Sequence, residues 1–206
     1  QLGTADVIVA GGVESCSHRP YLLGRITSPY QYNPPKFCDQ ILTPPEYGNL
    51  SNGMTAEEVA QRFHITREDC DAFSVESHKK AAAAWENHRF DEHIVPISVP
   101  RRKGEPVVVD RDDIFRPDCN MESLAKLAPS FKPGGIVTAG NSSPLTDGAA
   151  CVVVMERQMA ERLGCEILGV FRGFVSVGLE PRIMGMGPVY ATRKILQRTG
   201  LTLDDI

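Results

Sequence analysis

Residues 138–150 read Thr-Ala-Gly-Asn-Ser-Ser-Pro-Leu-Thr-Asp-Gly-Ala-Ala, and they run directly into the apolar segment Cys-Val-Val-Val-Met at 151–155. A polar loop that is punctuated by glycine and followed by an apolar strand is typical of a ligand-contacting loop in an α/β protein. The same pattern also fits a tight turn between two core elements. The elements and motifs in the rest of the sequence decide between these two interpretations.

Strands and helices alternate on both sides of this stretch. Residues 5–12 predict an apolar strand that ends in a Gly-Gly turn, and its successive apolar positions predict burial on both faces. Beyond 151–155, the pattern predicts a helix over 157–163, a long strand over 167–177 and a helix that begins at Pro188. This order of elements indicates an α/β fold.

The middle of the chain has a different character. Prolines recur between 17 and 52 and favour an irregular excursion over the surface. Helices are predicted to begin at Thr55 and Thr66, where each threonine stands at capping-box spacing from an acidic residue. Short strands are predicted at 95–99 and 107–109. We expect the second helix to bury a stripe dominated by small residues, namely Cys70, Phe73, Ser77, Ala81 and Ala84.

Charge and composition exclude several classes of protein. The 206 residues carry a net charge of -4 with both signs mixed, which leaves no basic stripe for a nucleic-acid backbone. No apolar run approaches the length of a membrane span, so we expect a soluble protein. Scattered cysteines without a C-x-x-C pair indicate a reducing, cytoplasmic setting. Because residue 1 is Gln and a new element starts near the last residues, we expect the chain to be the central portion of something longer.

Three kinds of site can be weighed against structural explanations. The glycines at 11–12 and 185–187 lack the spacing of a phosphate-binding loop and fit structural turns better. The histidines lack zinc-ligand spacing, so we predict no metal site. Cys16 lies between Glu14 and His18, which permits acyl transfer by a thiolate, but a cysteine in a turn after a strand is more often a packing residue.

Several segments resemble motifs of the thiolase family. Residues 10–17, Ala-Gly-Gly-Val-Glu-Ser-Cys-Ser, resemble the family's A-G-G-x-E-S-M-S. Residues 53–60 are similar to M-G-x-T-A-E-x-V-A, and residues 123–131 are similar to S-x-A-K-L-x-P-x-F. Residues 138–150 resemble T-A-G-N-A-S-x-x-x-D-G-A-A, and residues 185–188 match part of M-G-x-G-P. These motifs occur in the family's order and cover nearly the whole chain.

The resemblance implies a fold, a domain organisation and a reaction. Thiolases carry two similar α/β halves stacked in five αβαβα layers, with a loop domain inserted in the first half. The implied division is the end of an N-terminal half strand at 1–12, a loop domain with a return segment at 13–146, the last strand and helix of the N-terminal half at 147–165, and the start of the C-terminal half at 166–206. The implied reaction is the reversible Claisen condensation and thiolysis of 3-oxoacyl-coenzyme A.

The resemblance also implies contacts to coenzyme A, which would act as substrate and not as cofactor. Ser143 falls on the family serine that contacts the pantetheine arm, and Ala139 falls on its neighbouring contact. Arg116 and Ser123 fall on loop-domain positions that approach the nucleotide end. From the residues alone, Ser142 and Ser143 lack a nearby histidine base and are better hydrogen-bonding groups than nucleophiles. The implied partners are acyl-coenzyme A, coenzyme A and further copies of the chain in a homo-oligomer.

The departures from the family are as informative as the matches. The family's nucleophilic cysteine, its Glu-Ala-Phe motif, its Gly-His-Pro histidine and its second cysteine in C-x-G-G-G do not occur in these 206 residues, and Cys16 stands where the family commonly has Met. We therefore predict no catalytic residue in this chain and no turnover by the chain alone. The alternative is a truncated thiolase-like protein that binds acyl-coenzyme A or a partner without catalysis.

Overall fold

The computed structural model describes residues 3–23, 37–38, 45–48 and 50–206, so most of the excursion predicted for 17–52 lies outside the described residues. The chain divides into two compact units. The strand unit comprises residues 1–49, 145–180 and 186–206, and the helical unit comprises residues 50–144 and 181–185.

In the described chain, the strands are β1 (Val7–Glu14), β2 (Leu22–Leu23), β3 (Phe37–Cys38), β4 (Ile97–Val99), β5 (Val107–Val109) and β6 (Gly148–Met155). The α-helices are α1 (Asn52–Phe63), α2 (Arg67–Glu86), α3 (Met121–Ala125), α4 (Arg157–Leu163) and α5 (Gly187–Thr199). Short 3-10 helices lie at Cys16–His18, Pro45–Tyr47, Asp91–His93, Pro181–Met186 and Leu203–Asp205. The prediction of a mixed α/β chain is confirmed. In the part of the chain that is described, none of the helices has the length and apolar character needed to span a membrane.

The centre of the strand unit is an antiparallel ribbon of β1 and β6, paired from Val7 with Met155 to Glu14 with Gly148. Position 11 of this ladder requires glycine, because a Cβ there would lie 2.8 Å from the Ala150 carbonyl oxygen. Both strands were predicted, but burial on both faces was not correct: both faces of the ribbon are exposed. The reason is that two strands alone bury little of their surface.

The strand predicted over 167–177 does not form. These residues join no ladder in the described chain, and Leu168 is 92% exposed. An apolar run becomes a strand only when a neighbouring strand supplies hydrogen-bond partners, and sequence periodicity cannot report that neighbour. The helix after it does form as predicted: α5 carries a proline in its first turn, and Gly200 caps its end with a left-handed φ of 71°.

The two main helices of the helical unit begin differently from each other. α2 begins at the predicted cap, because the Thr66 side chain accepts the Asp69 N–H while the Asp69 side chain accepts the Thr66 N–H. α1 begins one turn earlier than predicted, at Asn52 with Ser51 as its cap. Thr55 lies inside α1, buried, and its hydroxyl donates to the Asn52 carbonyl at 2.8 Å.

The buried face of α2 also differs from the prediction. Asp71, Val75 and Ala82 are buried, whereas Phe73 of the predicted stripe is 76% exposed. The predicted stripe did not include Asp71, whose carboxylate is buried because it has specific partners.

A small core joins α2 to α3. Val75 packs with Cys119 and Leu124 in one buried cluster. Burial raises the pKa of the Cys119 thiol, which keeps it neutral in this apolar setting. Short strands were predicted at 95–99 and 107–109, and β4 and β5 form there; the two strands pair antiparallel, with Ile97 opposite Val109.

Candidate functional site

The site is built around the loop of residues 138–143, which we call the 138–143 loop. Its turn is closed internally: the Asn141 Oδ1 accepts the Thr138 N–H at 2.8 Å, and the Thr138 carbonyl accepts the Asn141 N–H at 3.3 Å. The Ser142 hydroxyl donates to the same carbonyl at 2.7 Å, and the Gly140 N–H donates to the Thr138 Oγ1 at 3.2 Å. Thr138 is fully buried, so these bonds satisfy groups that water cannot reach.

Glu57 of α1 holds the backbone that enters this loop. Its two carboxylate oxygens accept the Ile136 N–H at 2.9 and 3.1 Å, and its Oε1 accepts the Val137 N–H at 2.8 Å. Glu57 is only 6% exposed. The approach requires glycine at 135, because a Cβ there would lie 2.2 Å from the Glu57 Oε1.

Asp71 of α2 holds the other side of the loop through Asn141. The Asn141 Nδ2 donates to the Asp71 Oδ1 at 2.9 Å and to the Ile136 carbonyl at 2.9 Å. The second oxygen of Asp71 accepts the Arg67 Nε at 2.7 Å. A carboxylate that is 2% exposed needs both partners, because a buried charge is stable only when it is paired and hydrogen-bonded.

Arg67 connects this network to α3. Its Nη2 donates to the Leu124 and Leu127 carbonyls, which stand at the end of that short helix. The 138–143 loop packs against the same turn, since a Cβ at Gly140 would lie 2.5 Å from the Leu127 side chain and 2.6 Å from that of Leu124. The loop and α3 are therefore held as one piece of structure.

Ala139 and Ser143, the two predicted contacts in the loop, are both exposed. Neither side chain belongs to the internal hydrogen bonds that close the turn. The loop thus buries its Thr138 and presents the two predicted residues outward.

Ser123 and Arg116, the other two predicted residues, lie on the segment that leads into α3. Ser123 is exposed in the first turn of α3, where it forms a reciprocal cap with Asn120. Arg116 is exposed, and its backbone N–H donates to the His78 Nδ1 at 3.1 Å. All four predicted residues lie in the helical unit. The Asp71 and Arg67 bonds connect the 138–143 loop to α3, and Arg116 is joined to α2 through His78. In the described structure no hydrogen bond joins the four side chains to one another.

Sequence reasoning missed the residues that hold the site together. Glu57 lies within the motif at 53–60, and Arg67 and Asp71 have the i,i+4 spacing of an ion pair, so both signals were available. No sequence signal indicated that these carboxylates are buried. Among the described residues, no group of three or more His, Cys, Asp or Glu is placed to hold a metal ion.

A second polar cluster, in the strand unit, surrounds Cys16. The Asp147 carboxylate accepts the Ser17 hydroxyl and, at 2.9 Å, the Ser17 N–H. It also accepts the Ser15 hydroxyl at 3.3 Å. These bonds, led by the one from the Ser17 hydroxyl, lower the pKa of the Asp147 carboxyl below its usual value.

This cluster gives no support to the interpretation of Cys16 as a nucleophile. The His18 Nδ1 lies 2.9 Å from the Ser15 hydroxyl and 3.2 Å from the Ser17 hydroxyl. Its ring is therefore engaged by serines, and within the described chain no hydrogen bond joins it to Cys16. A base must reach the proton that it removes, and this one is directed elsewhere.

Comparison with known proteins identifies the relatives of this chain. The family model "Thiolase, N-terminal domain" matches residues 1–158, and "Thiolase, C-terminal domain" matches residues 165–206. The acetyl-CoA acetyltransferase of Chromobacterium violaceum is 42% identical over 207 residues, a match that covers 99% of this chain and 53% of that protein.

Two solved structures have the same fold as the chain. An acetyl-CoA acetyltransferase from Syntrophomonas wolfei superposes with a TM-score of 0.87 at 36% identity, covering 100% of this chain and 52% of that one. A human mitochondrial 3-ketoacyl-CoA thiolase in complex with CoA superposes with a TM-score of 0.86 at 32% identity, covering 100% of this chain and 51% of that one. The chain therefore spans about half the length of the curated relatives that it matches.

Proposed function

The chain belongs to the thiolase family, and from that premise we propose that the protein containing it catalyses the reversible Claisen condensation and thiolysis of 3-oxoacyl-coenzyme A. In thiolysis, the bond between C2 and C3 of the 3-oxoacyl group breaks, acetyl-coenzyme A leaves, and the remaining acyl group passes through a cysteine thioester to the thiol of a second coenzyme A. The observation that carries the proposal is the 138–143 loop, whose buried network presents Ala139 and Ser143 to solvent.

The proposed roles of the site residues follow from what coenzyme A offers. Its pantetheine arm carries amide and hydroxyl groups that need hydrogen-bond partners, which the Ser143 hydroxyl and the backbone around Ala139 can supply. Its nucleotide carries phosphates, for which an exposed guanidinium such as that of Arg116 and a hydroxyl such as that of Ser123 are suitable partners. Coenzyme A serves here as substrate, and we propose no metal or separate cofactor.

We also propose that these residues bind the substrate for a reaction whose catalytic groups they do not include. The family's cysteine and histidine motifs are absent from the 206 residues, and the environment of Cys16 does not suit a nucleophile. The chain alone should therefore show no thiolysis of acetoacetyl-coenzyme A above background, whereas the protein that contains it should be active.

The domain division that the resemblance implies is kept as a proposal. In this division, residues 1–12 are the end of a strand of the N-terminal half, and residues 13–146 are the loop domain and return segment. Residues 147–165 are the last strand and helix of the N-terminal half, and the C-terminal half begins at residue 166. It is supported by the boundary between the two compact units after residue 144, and by the C-terminal domain match that starts at residue 165.

A second function, binding of acyl-coenzyme A or a partner without catalysis, is favoured by one observation. The loop and its supporting network are complete in this chain, while the catalytic motifs of the family are not among its residues. Thiolysis by the protein containing the chain would exclude this second function, and tight binding of coenzyme A without turnover would favour it.

The proposed contact of Ser143 is tested by Ser143→Ala in the protein containing this chain. Loss of one hydrogen bond should raise the KM for acetoacetyl-coenzyme A about two- to tenfold and leave kcat nearly unchanged, because the bond binds substrate and transition state alike. Ser77→Ala, at an exposed serine on α2, is the control and should have no effect. Equal kinetics for the two variants would remove Ser143 from the site.

Two further properties belong to the proposal. We propose a cytoplasmic location, supported by free cysteines at each of the cysteine positions for which the structure describes a side chain. We propose a homo-oligomer on the basis of the family alone. Cell fractionation tests the first of these, and light scattering of the purified protein tests the second.

A further inference from the structure

The amide of Asn141 is the one side chain that closes the 138–143 loop and also reaches outside it. Its Oδ1 accepts the Thr138 N–H, while its Nδ2 donates to the Ile136 carbonyl and to the Asp71 Oδ1. The NH2 group therefore has two acceptors and the oxygen has one donor. The conformation of the loop depends on which way this amide is turned.

Asp71 decides that orientation. A carboxylate can only accept hydrogen bonds, so the Asn141 NH2 must face it and the Asn141 oxygen must face the Thr138 N–H. Arg67 occupies the other oxygen of Asp71 at 2.7 Å and fixes the carboxylate in place. With the amide turned the other way, the Nδ2 would meet the Thr138 N–H, two donors would face each other, and a fully buried N–H would lose its acceptor.

We infer that Asp71, acting through Asn141, is a positioning residue for coenzyme A in this site, an inference that rests on the proposed thiolase function. Ala139 and Ser143 stand two residues to either side of Asn141. Opening the turn would therefore displace both contacts at once. Because these contacts bind substrate and transition state alike, their loss should appear mainly in the KM.

The Asp71–Asn141 hydrogen bond could stabilise the fold without positioning the loop, and the KM of folded variants distinguishes these two roles. If the network only stabilises the helical unit, its variants should unfold more easily but bind coenzyme A normally while folded. If it positions the loop, folded variants should show a raised KM for the thioester. The kcat at saturating substrate should then change much less.

The test is a reciprocal exchange in the protein containing this chain, measured by thiolysis of acetoacetyl-coenzyme A. Asp71→Asn and Asn141→Asp should each raise the KM about tenfold or more. The first places an amide N–H opposite another donor, and the second places a carboxylate opposite both Asp71 and the Ile136 carbonyl. The double variant restores a carboxylate opposite an amide and keeps an acceptor for Arg67 and another for the Thr138 N–H, while the Ile136 carbonyl stays without the donor that Asn141 gave it. It should therefore have a KM below that of Asn141→Asp, because the two carboxylates no longer face each other, but the recovery should be partial.

Two further variants keep the test decisive. Glu76→Gln makes the same acid-to-amide change on the exposed face of α2, in a pair with Lys80, and should leave the KM unchanged. Asn141→Ser can still accept the Thr138 N–H but cannot reach Asp71, so it should fold and show a raised KM. A normal KM for Asn141→Ser, or a double variant whose KM is no lower than that of Asn141→Asp, would overturn the inference. An unsubstituted protein without activity on acyl-coenzyme A would instead overturn the proposed function.

Discussion

At the scale of single residues, Glu57 fixes the course of the chain into the site. Its carboxylate accepts two consecutive backbone N–H groups at 136 and 137 while it is almost completely buried. Hydrogen bonds to a charged acceptor are stronger than neutral ones, and a buried donor left without an acceptor is costly. The entrance to the 138–143 loop therefore depends on one side chain.

Glu57→Gln should lower the free energy of unfolding of the protein containing this chain by about 1–3 kcal/mol. The substituted amide keeps one oxygen but turns its NH2 group toward backbone donors. Urea denaturation gives the measurement, and Glu86→Gln, on the exposed last residue of α2, is the matched control with little expected change. Similar losses for both variants would show that the Glu57 contacts do not hold the loop.

Asp147 makes the cluster around Ser17 sensitive to acid. Its folded-state pKa is lowered, chiefly by the Ser17 hydroxyl, so its contribution to stability is present above the unfolded-state pKa and is lost as the pH falls through the folded-state pKa. Asp147→Asn should therefore be less stable than the parent protein at about pH 6, and the difference should shrink toward about pH 3. Denaturation curves across this range give the measurement, and a difference that stays constant with pH would contradict it.

At the scale of elements, glycines distinguish two helix beginnings that look alike in sequence. Gly53 is the second residue of α1, and a Cβ there would lie 2.3 Å from the Phe131 ring. Gly187 is the first residue of α5, and a Cβ there would be 3.8 Å from Leu179, an ordinary contact distance. The same substitution should therefore have opposite effects at the two positions.

Gly53→Ala should destabilise the protein by about 1–3 kcal/mol, because the methyl group overlaps the Phe131 ring, which must move to admit it. Gly187→Ala should be neutral or stabilising by up to about 1 kcal/mol, because alanine is the better helix former. Thermal unfolding of the two variants side by side gives the comparison. A stabilised Gly53→Ala would show that Phe131 does not pack against α1.

Elements differ in how much of them the sequence could predict. The start of α2 was predictable because Thr66 and Asp69 cap it through local bonds, whereas the start of α1 was not, since Thr55 matches a cap but is buried inside the helix. The missing strand over 167–177 and the buried Asp71 both depend on distant partners. A local sequence pattern reports contacts between residues that are close in sequence. The wrong predictions therefore fall at residues whose structure depends on distant partners.

For the whole molecule, the sequence motifs predicted membership of the thiolase family and four candidate contacts to coenzyme A. They did not predict the hydrogen-bond network of Glu57, Arg67 and Asp71 that supports the 138–143 loop. The resemblance at 138–150 identified the loop, and the family matches over 1–158 and 165–206 confirmed the thiolase prediction. The exposure of the β1–β6 ribbon and of residues 167–177 was not predictable, because it depends on which distant elements pack against an apolar segment, and local sequence does not report them. The roles proposed for Ala139, Ser143, Arg116 and Ser123 stay predictions.

The 138–143 loop is proposed to bind coenzyme A. Amide hydrogen–deuterium exchange in the protein containing this chain, with and without coenzyme A, tests that claim. Binding should slow exchange in peptides covering 139–143, because contact with the pantetheine arm excludes water from the exposed face of the loop, while peptides of α5 should not change. Unchanged exchange over 139–143 at a coenzyme A concentration that saturates the enzyme would contradict the claim.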